Sequence, residues 1–124
     1  MPNLPHQISV RMDPDDRLVA AVGGAARYLA DAAGLGNEMI LQFASSVVSA
    51  CKHCFHCHSL ATPCGITLRR SLDRLEVEVA FPGTEPPSDE KSSWEGIDEV
   101  HRESKDQAAI LRLTKYVSPN PPAD

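Results

Sequence analysis

The sequence predicts a two-layer α+β domain in which helices pack on one face of a mixed or antiparallel sheet. Three short runs, 7–12, 65–71 and 75–81, alternate apolar and polar residues with the period of two that half-buried strands require. Two longer stretches, 14–33 and 37–58, instead repeat apolar residues at intervals of three and four, the spacing of a helix with one buried side. The order strand, helix, helix, strand pair lets each helix bury its apolar side on the sheet. A chain of 124 residues is enough for one such domain with a real core and no disulfide staples. A single domain over 1–124 is expected, with its core over 6–117.

In the first run Ile8, Val10 and Met12 alternate with Gln7, Ser9 and Arg11, and its shortness suits a sheet edge. Asp13-Pro14-Asp15-Asp16 then supplies a helix start, with Asp13 as cap and Pro14 at the first helical position. Leu18, Val22, Ala25, Leu29 and Ala33 follow at helical spacing, and Gly34 offers the left-handed stop. Asn37 can cap the second helix, whose core side is Met39, Ile40, Phe43, Ala44, Val47, Val48, Cys51, Cys54 and Phe55. Glu38, Gln42, Ser45, Ser49 and Lys52 fall largely between them, and Pro63 marks the loop that follows.

The runs 65–71 and 75–81 are joined by Leu72-Asp73-Arg74, so a hairpin is the natural reading. Leu75, Val77, Val79 and Phe81 should face the core, and Glu76 and Glu78 should face water opposite Arg69 and Arg70. Residues 82–96 break all periodicity and read as a loop, in which Trp94 is a local anchor before it is a binding surface. Over 97–117 Ala108, Leu111 and Lys115, or Ile110, Leu113 and Val117, return at helical spacing and predict a last helix. The remainder, 118–124, is a polar tail.

Composition narrows the function classes. A net charge of −5 with a pI near 5.5 leaves no electrostatic footprint for nucleic acid or an anionic membrane. The first residues lack a basic region followed by an apolar run and a cleavage site, and no stretch reaches the roughly 18 apolar residues of a membrane span. A cytoplasmic protein is expected, in which cysteines are free thiols or ligands more readily than disulfides.

The stretch 37–58 holds the chemistry as well as the core. Three of the four cysteines, Cys51, Cys54 and Cys57, and three of the five histidines, His53, His56 and His58, lie in it, with Cys64 nearby. Cys54-Phe55-His56-Cys57-His58 is a literal haem-attachment pattern, but neither a secretion signal nor a haem pocket accompanies it. An iron–sulfur run would want a closer fourth cysteine followed by proline, and Cys64 is followed by Gly65. Zinc held by Cys54, Cys57 or His58 with Cys64 is a candidate if the helix frays near its end, and on a continuous helix two or three of Cys51, Cys54, Cys57 and His58 could hold it only with help from Cys64 or a partner chain. The favoured reading is that Cys51 and Cys54 are small buried apolar residues, so no stoichiometric metal is expected.

The pairing of RLVAAVGGAARYLADAAGLGNEMILQFASSVVSACKHC with GITLRRSLDRLEVEVAFPGTEPP resembles the anti-sigma-factor serine kinases, small proteins of the histidine-kinase-like ATPase fold that serve bacterial partner switching. The resemblance implies that fold over 8–117. It also implies a site: a Glu on the second helix, an Asn four residues on that binds Mg²⁺ and phosphate, and often a His one turn later. Aligned on that histidine, this sequence offers Val48, Lys52 and His56. After the hairpin the family has an Asp-x-Gly that holds adenine, and here the match is Phe81-Pro82-Gly83, which keeps the glycine only. The glycines that cradle phosphate at the start of the last helix are absent from HRESKDQAAILRL.

These replacements can be weighed. Losing a charged hydrogen bond to the base costs about 1.5–3 kcal/mol, and losing the metal site a comparable amount, so a micromolar site would fall to roughly millimolar. The resemblance therefore implies a non-catalytic relative that works by protein contact, with no ATP, Mg²⁺ or zinc as cofactor. Its candidate partners are a sigma factor, an anti-sigma antagonist or a second copy of the chain. An ATP-binding serine kinase with divergent ligands is the alternative, and a small metal-binding protein is the third reading.

Overall fold

A computed structural model describes residues 6–13, 15–57, 63–71, 73–82, 94–105 and 108–117. Two helices, α1 (Val19–Ala32) and α2 (Asn37–Cys57), cover one face of a five-stranded antiparallel sheet. Its strands are β1 (His6–Met12), β2 (Cys64–Arg70), β3 (Arg74–Pro82), β4 (Glu99–Lys105) and β5 (Ala108–Tyr116), in the spatial order β1-β2-β3-β5-β4. The expected edge strand and the expected hairpin are both present, the latter with Gly65 opposite Ala80 and Arg70 opposite Leu75. No helix among the described residues is long and apolar enough to cross a membrane.

The last helix expected over 97–117 is not formed; the segment is the hairpin β4–β5. Ala, Leu, Arg and Lys favour a helix in isolation, yet the burial of Ala109, Leu111 and Leu113 has period two. The helical triplets read from the sequence would place half-exposed Ile110 with buried Leu113. Pairing decides the matter: β5 lies between two strands and matches β3 over nine positions, from Arg74 opposite Tyr116 to Pro82 opposite Ala108. Both sides of its backbone are thereby satisfied, as a central strand needs.

The first helix begins later than 14. A short 3₁₀ turn, Asp16–Leu18, precedes it, and Asp15 rather than Asp13 caps that turn, while α1 itself has Leu18 at its N-cap with no side-chain hydrogen bond. The Arg17 backbone N–H donates to Asp15 Oδ1 at 2.9 Å, and the Leu18 N–H donates to the Asp15 carbonyl at 2.8 Å. The stop is as expected. Gly34 adopts φ 88°, its N–H reaches the Asp31 carbonyl, and the Leu35 N–H reaches the Ala30 carbonyl, a Schellman closure. In α2 the first bond runs from Ile40 N–H to the Gly36 carbonyl, so Gly36 takes the capping position and Asn37 is the first helical residue.

The core lies between the layers. Phe43, Leu29, Ile66, Leu68, Leu75 and Leu113 are among its largest fully buried side chains. Leu75, Val77, Val79 and Phe81 face it, as the alternation requires, and Glu76 and Glu78 lie on the other side. There Arg69 Nη1 meets Glu76 Oε1 at 3.4 Å, and Arg112 Nη2 meets Glu78 Oε2 at 2.9 Å. The second pair comes from β5, a strand that the sequence reading had placed in a helix.

The helices meet closely at one glycine. A Cβ on Gly23 would lie 2.8 Å from Val48 Cγ2, whereas a Cβ on Gly24, one residue on and exposed, would meet nothing within 4 Å. Gly24→Ala is therefore expected to stabilise the fold by about 0.5–1 kcal/mol through helix propensity. Gly23→Ala gains about 1 kcal/mol in propensity but suffers an overpacking cost of about 1–3 kcal/mol. A net loss is expected, and paired urea titrations of the two variants check the opposite signs.

Candidate functional site

Helix α2 positions Val48, Cys51, Lys52 and Cys54, with Cys64 on β2 and Phe81 on β3, and its sides have different surroundings. Phe43, Val47, Ala50, Cys51 and Cys54 are buried in the core. Leu41, Ser45 and Lys52 are exposed, and Val48 is half-buried in the seam with α1. A third stripe, Gln42, Ser46, Ser49 and His53, receives the turn 94–97.

That turn is held by several contacts. Trp94 is only 5% exposed, and its Nε1–H donates to Ser49 Oγ at 3.3 Å. Its ring meets His53 edge-on at 6.0 Å. The Ser46 hydroxyl donates to the Glu95 carbonyl. Gly96, at φ 81°, comes so close to α2 that a Cβ there would lie 3.1 Å from Gln42 Cβ. The Ile97 N–H closes the turn on the Trp94 carbonyl at 3.1 Å. Sequence reasoning found the anchor in Trp94 but not its seat, although two serines and a histidine at helical spacing were the available signal.

The positions matched to the nucleotide site do not come together as a pocket among the described residues. Val48 sits at the helix–helix seam, Lys52 is exposed, and Phe81 is 2% exposed within the core opposite Ala109 of β5. The side chain of His56, and Gly83, lie outside the described residues. An open cavity does exist, but elsewhere, lined by Val10, Met12, Leu18, Ala21 and Pro63 together with Arg11 and Asp13.

Of the metal candidates, Cys51, Cys54 and Cys64 form no disulfide and are buried, at 0%, 0% and 1% exposure. Burial pushes the Cys51 thiol far above its ordinary 9.0, and the neighbouring Cys54 and Cys64 sulfurs push the same way. Burial also raises the Cys64 thiol, against a smaller opposing effect of a backbone N–H. Such thiols are poor ligands and poor nucleophiles, because both roles need the thiolate. Among the described residues no three His, Cys, Asp or Glu groups are arranged to hold a metal ion. The side chain of Cys57, and His58, lie outside them.

A solved structure similar to this chain is that of the RsbU and RsbW domains of a protein from Mycobacterium tuberculosis, at a TM-score of 0.66 and 11% identity. The match covers 95% of this chain and 34% of that one, so the chain spans about a third of its length. At that identity the likeness is one of fold: the chain shares with part of that structure its two-layer arrangement of helices on an antiparallel sheet. No protein-family model and no curated protein matches the sequence.

A disulfide reagent added to the native protein should leave Cys51, Cys54 and Cys64 unmodified until denaturant is present, as mass mapping would read. Because the folded Cys51 pKa is raised, the stabilisation it contributes is complete below pH 9 and fades as pH rises, while the unfolded thiol ionises. The slope approaches about 1.4 kcal/mol per pH unit for this thiol, and alkaline urea titrations of wild type and Cys51→Ala should differ by it. Separately, Trp94→Ala should cost about 3–5 kcal/mol. Emission of the single tryptophan should be that of a buried indole, and a solvent-exposed spectrum would contradict the docked turn.

Proposed function

We propose that the chain is a non-catalytic regulator of the anti-sigma kinase type, which acts by contact with another protein of a partner-switching system and not by phosphoryl transfer. One observation carries the reading: after Glu38, α2 contains no Asp, Glu or Asn as far as Cys57. Beyond its first turn the helix supplies neither a carboxylate to orient the attacking group nor an Asn to hold Mg²⁺. At the matched positions Val48 fills the seam with α1 and Lys52 is a cation, which repels Mg²⁺. Phe81, in place of the adenine-binding Asp, is part of the core.

Two further features support it. The turn 94–97 already covers the α2 stripe from Gln42 to His53, so that side of the helix is filled by the chain itself. The fold shared with a structure containing an RsbW domain makes a sigma factor or an anti-sigma antagonist the first partner to try, and a second copy of the chain the next. No nucleotide, Mg²⁺ or zinc is required.

Calorimetric titration of the purified protein with ATP and Mg²⁺ tests the reading. No saturable heat is expected at micromolar concentrations. Saturable micromolar binding would overturn it in favour of a nucleotide-binding kinase with divergent ligands.

A further inference from the structure

The sheet has two edges, and they differ in a way that distinguishes guarded from open strands. β4 carries Glu99, His101, Arg102, Glu103 and Lys105 among its seven residues, the charge density that discourages a further strand. β1, also seven residues, carries a single full charge, Arg11, among β-branched and small polar residues. Beside its end lies the open cavity of about 470 Å³ lined by Val10, Met12, Leu18, Ala21 and Pro63 together with Arg11 and Asp13, with Leu18 43% exposed. An unguarded edge and a largely apolar groove thus coincide.

We propose that β1 is a strand-addition site for an extended segment of a partner protein, one that alternates apolar side chains with polar ones and places a carboxylate beside Arg11. Side chains of an added strand fall alternately on the two sheet faces. Those on the helix side continue the row of Ile8, Val10 and Met12 and enter the groove. Those on the other side lie next to Gln7, Ser9 and Arg11. On that face Arg69 and Arg112 each meet a glutamate from a neighbouring strand, and Arg74 meets Asp73. Arg11 is exposed, lies opposite Gly65, and has no acidic partner among the described residues. A carboxylate on the incoming strand completes the pattern. A second copy adding its own β1 would bring no carboxylate, since His6–Met12 contains none.

This surface deepens the reading of the chain as a contact protein and rests on it only for the existence of a partner. The peptide titration below and the ATP titration can fail separately.

The test uses the full chain, labelled for amide NMR, and a capped seven-residue peptide alternating valine and threonine with one central glutamate. Controls carry lysine for that glutamate, or proline at alternate positions. Shifts and exchange protection are expected along 7–12, with the lysine peptide roughly fivefold weaker and the proline peptide silent. Arg11→Glu, at an exposed position, should keep the circular dichroism spectrum and reverse the preference between glutamate and lysine peptides. Absence of binding at millimolar peptide, shifts confined to other strands, or an unchanged preference in Arg11→Glu would overturn the proposal. So would sedimentation showing a dimer of the free chain with its β1 amides already protected.

Discussion

The fold depends on α2 being covered on three sides at once. The sheet takes Phe43, Val47 and Cys54, α1 takes Val48 at the gap left by Gly23, and the turn at Trp94 takes Ser46, Ser49 and His53. A 21-residue helix with no Asp, Glu or Asn after Glu38 has few groups to offer water, and its stability must come from these contacts.

The elements that could be read from the sequence were those whose periodicity and burial coincide. In α1 the apolar spacing, Gly34 and the Schellman closure all point one way, and in the β2–β3 hairpin Leu75, Val77, Val79 and Phe81 alternate without a fault. The last forty residues read less well because their local preference and their pairing disagree. Ala108, Ala109, Leu111, Arg112, Leu113 and Lys115 are helix formers, and only the free edge of β3 tells that this segment must be a strand. A single sequence does not display that edge. The Asp13 cap failed for a smaller reason: Asp15, two residues later, offers the same carboxylate in a tighter turn.

The candidate site was legible in part. That Cys51 and Cys54 belong to the core followed from their place on the apolar side of α2, and Cys64 joins them from the first residue of β2, opposite Met12. Three cysteines from two elements thus share one locus, and nothing in their spacing says whether that locus is dry. Burial answers it, since desolvated thiols hold their protons. The stripe of Ser46, Ser49 and His53 was visible as a pattern, but not as the seat of Trp94, which is separated from Ser49 by 45 residues and an unpatterned loop.

The sheet face away from the helices bears on where a partner can bind. Its charges are largely paired within the chain: Gln7 with Arg69 and Arg69 with Glu76, then Glu78 with Arg112, Arg112 with Glu103, and Glu103 with His101. Arg74 stacks over Tyr116, whose hydroxyl donates to Glu99 at 2.7 Å. A partner laid flat on this face would have to desolvate those pairs, and the Coulombic gain that remained would not offset it unless each pair found an equal substitute. The face is therefore better suited to keeping the sheet soluble than to recognition. Exposed apolar area on that face is the ring of Tyr116 under Arg74; more is found at Leu18, beside the end of β1, and at Tyr28 and Leu41 on the helical layer. Contact through an edge or through the helices leaves the outer ladder intact, and so preserves the interactions that hold the five strands in register.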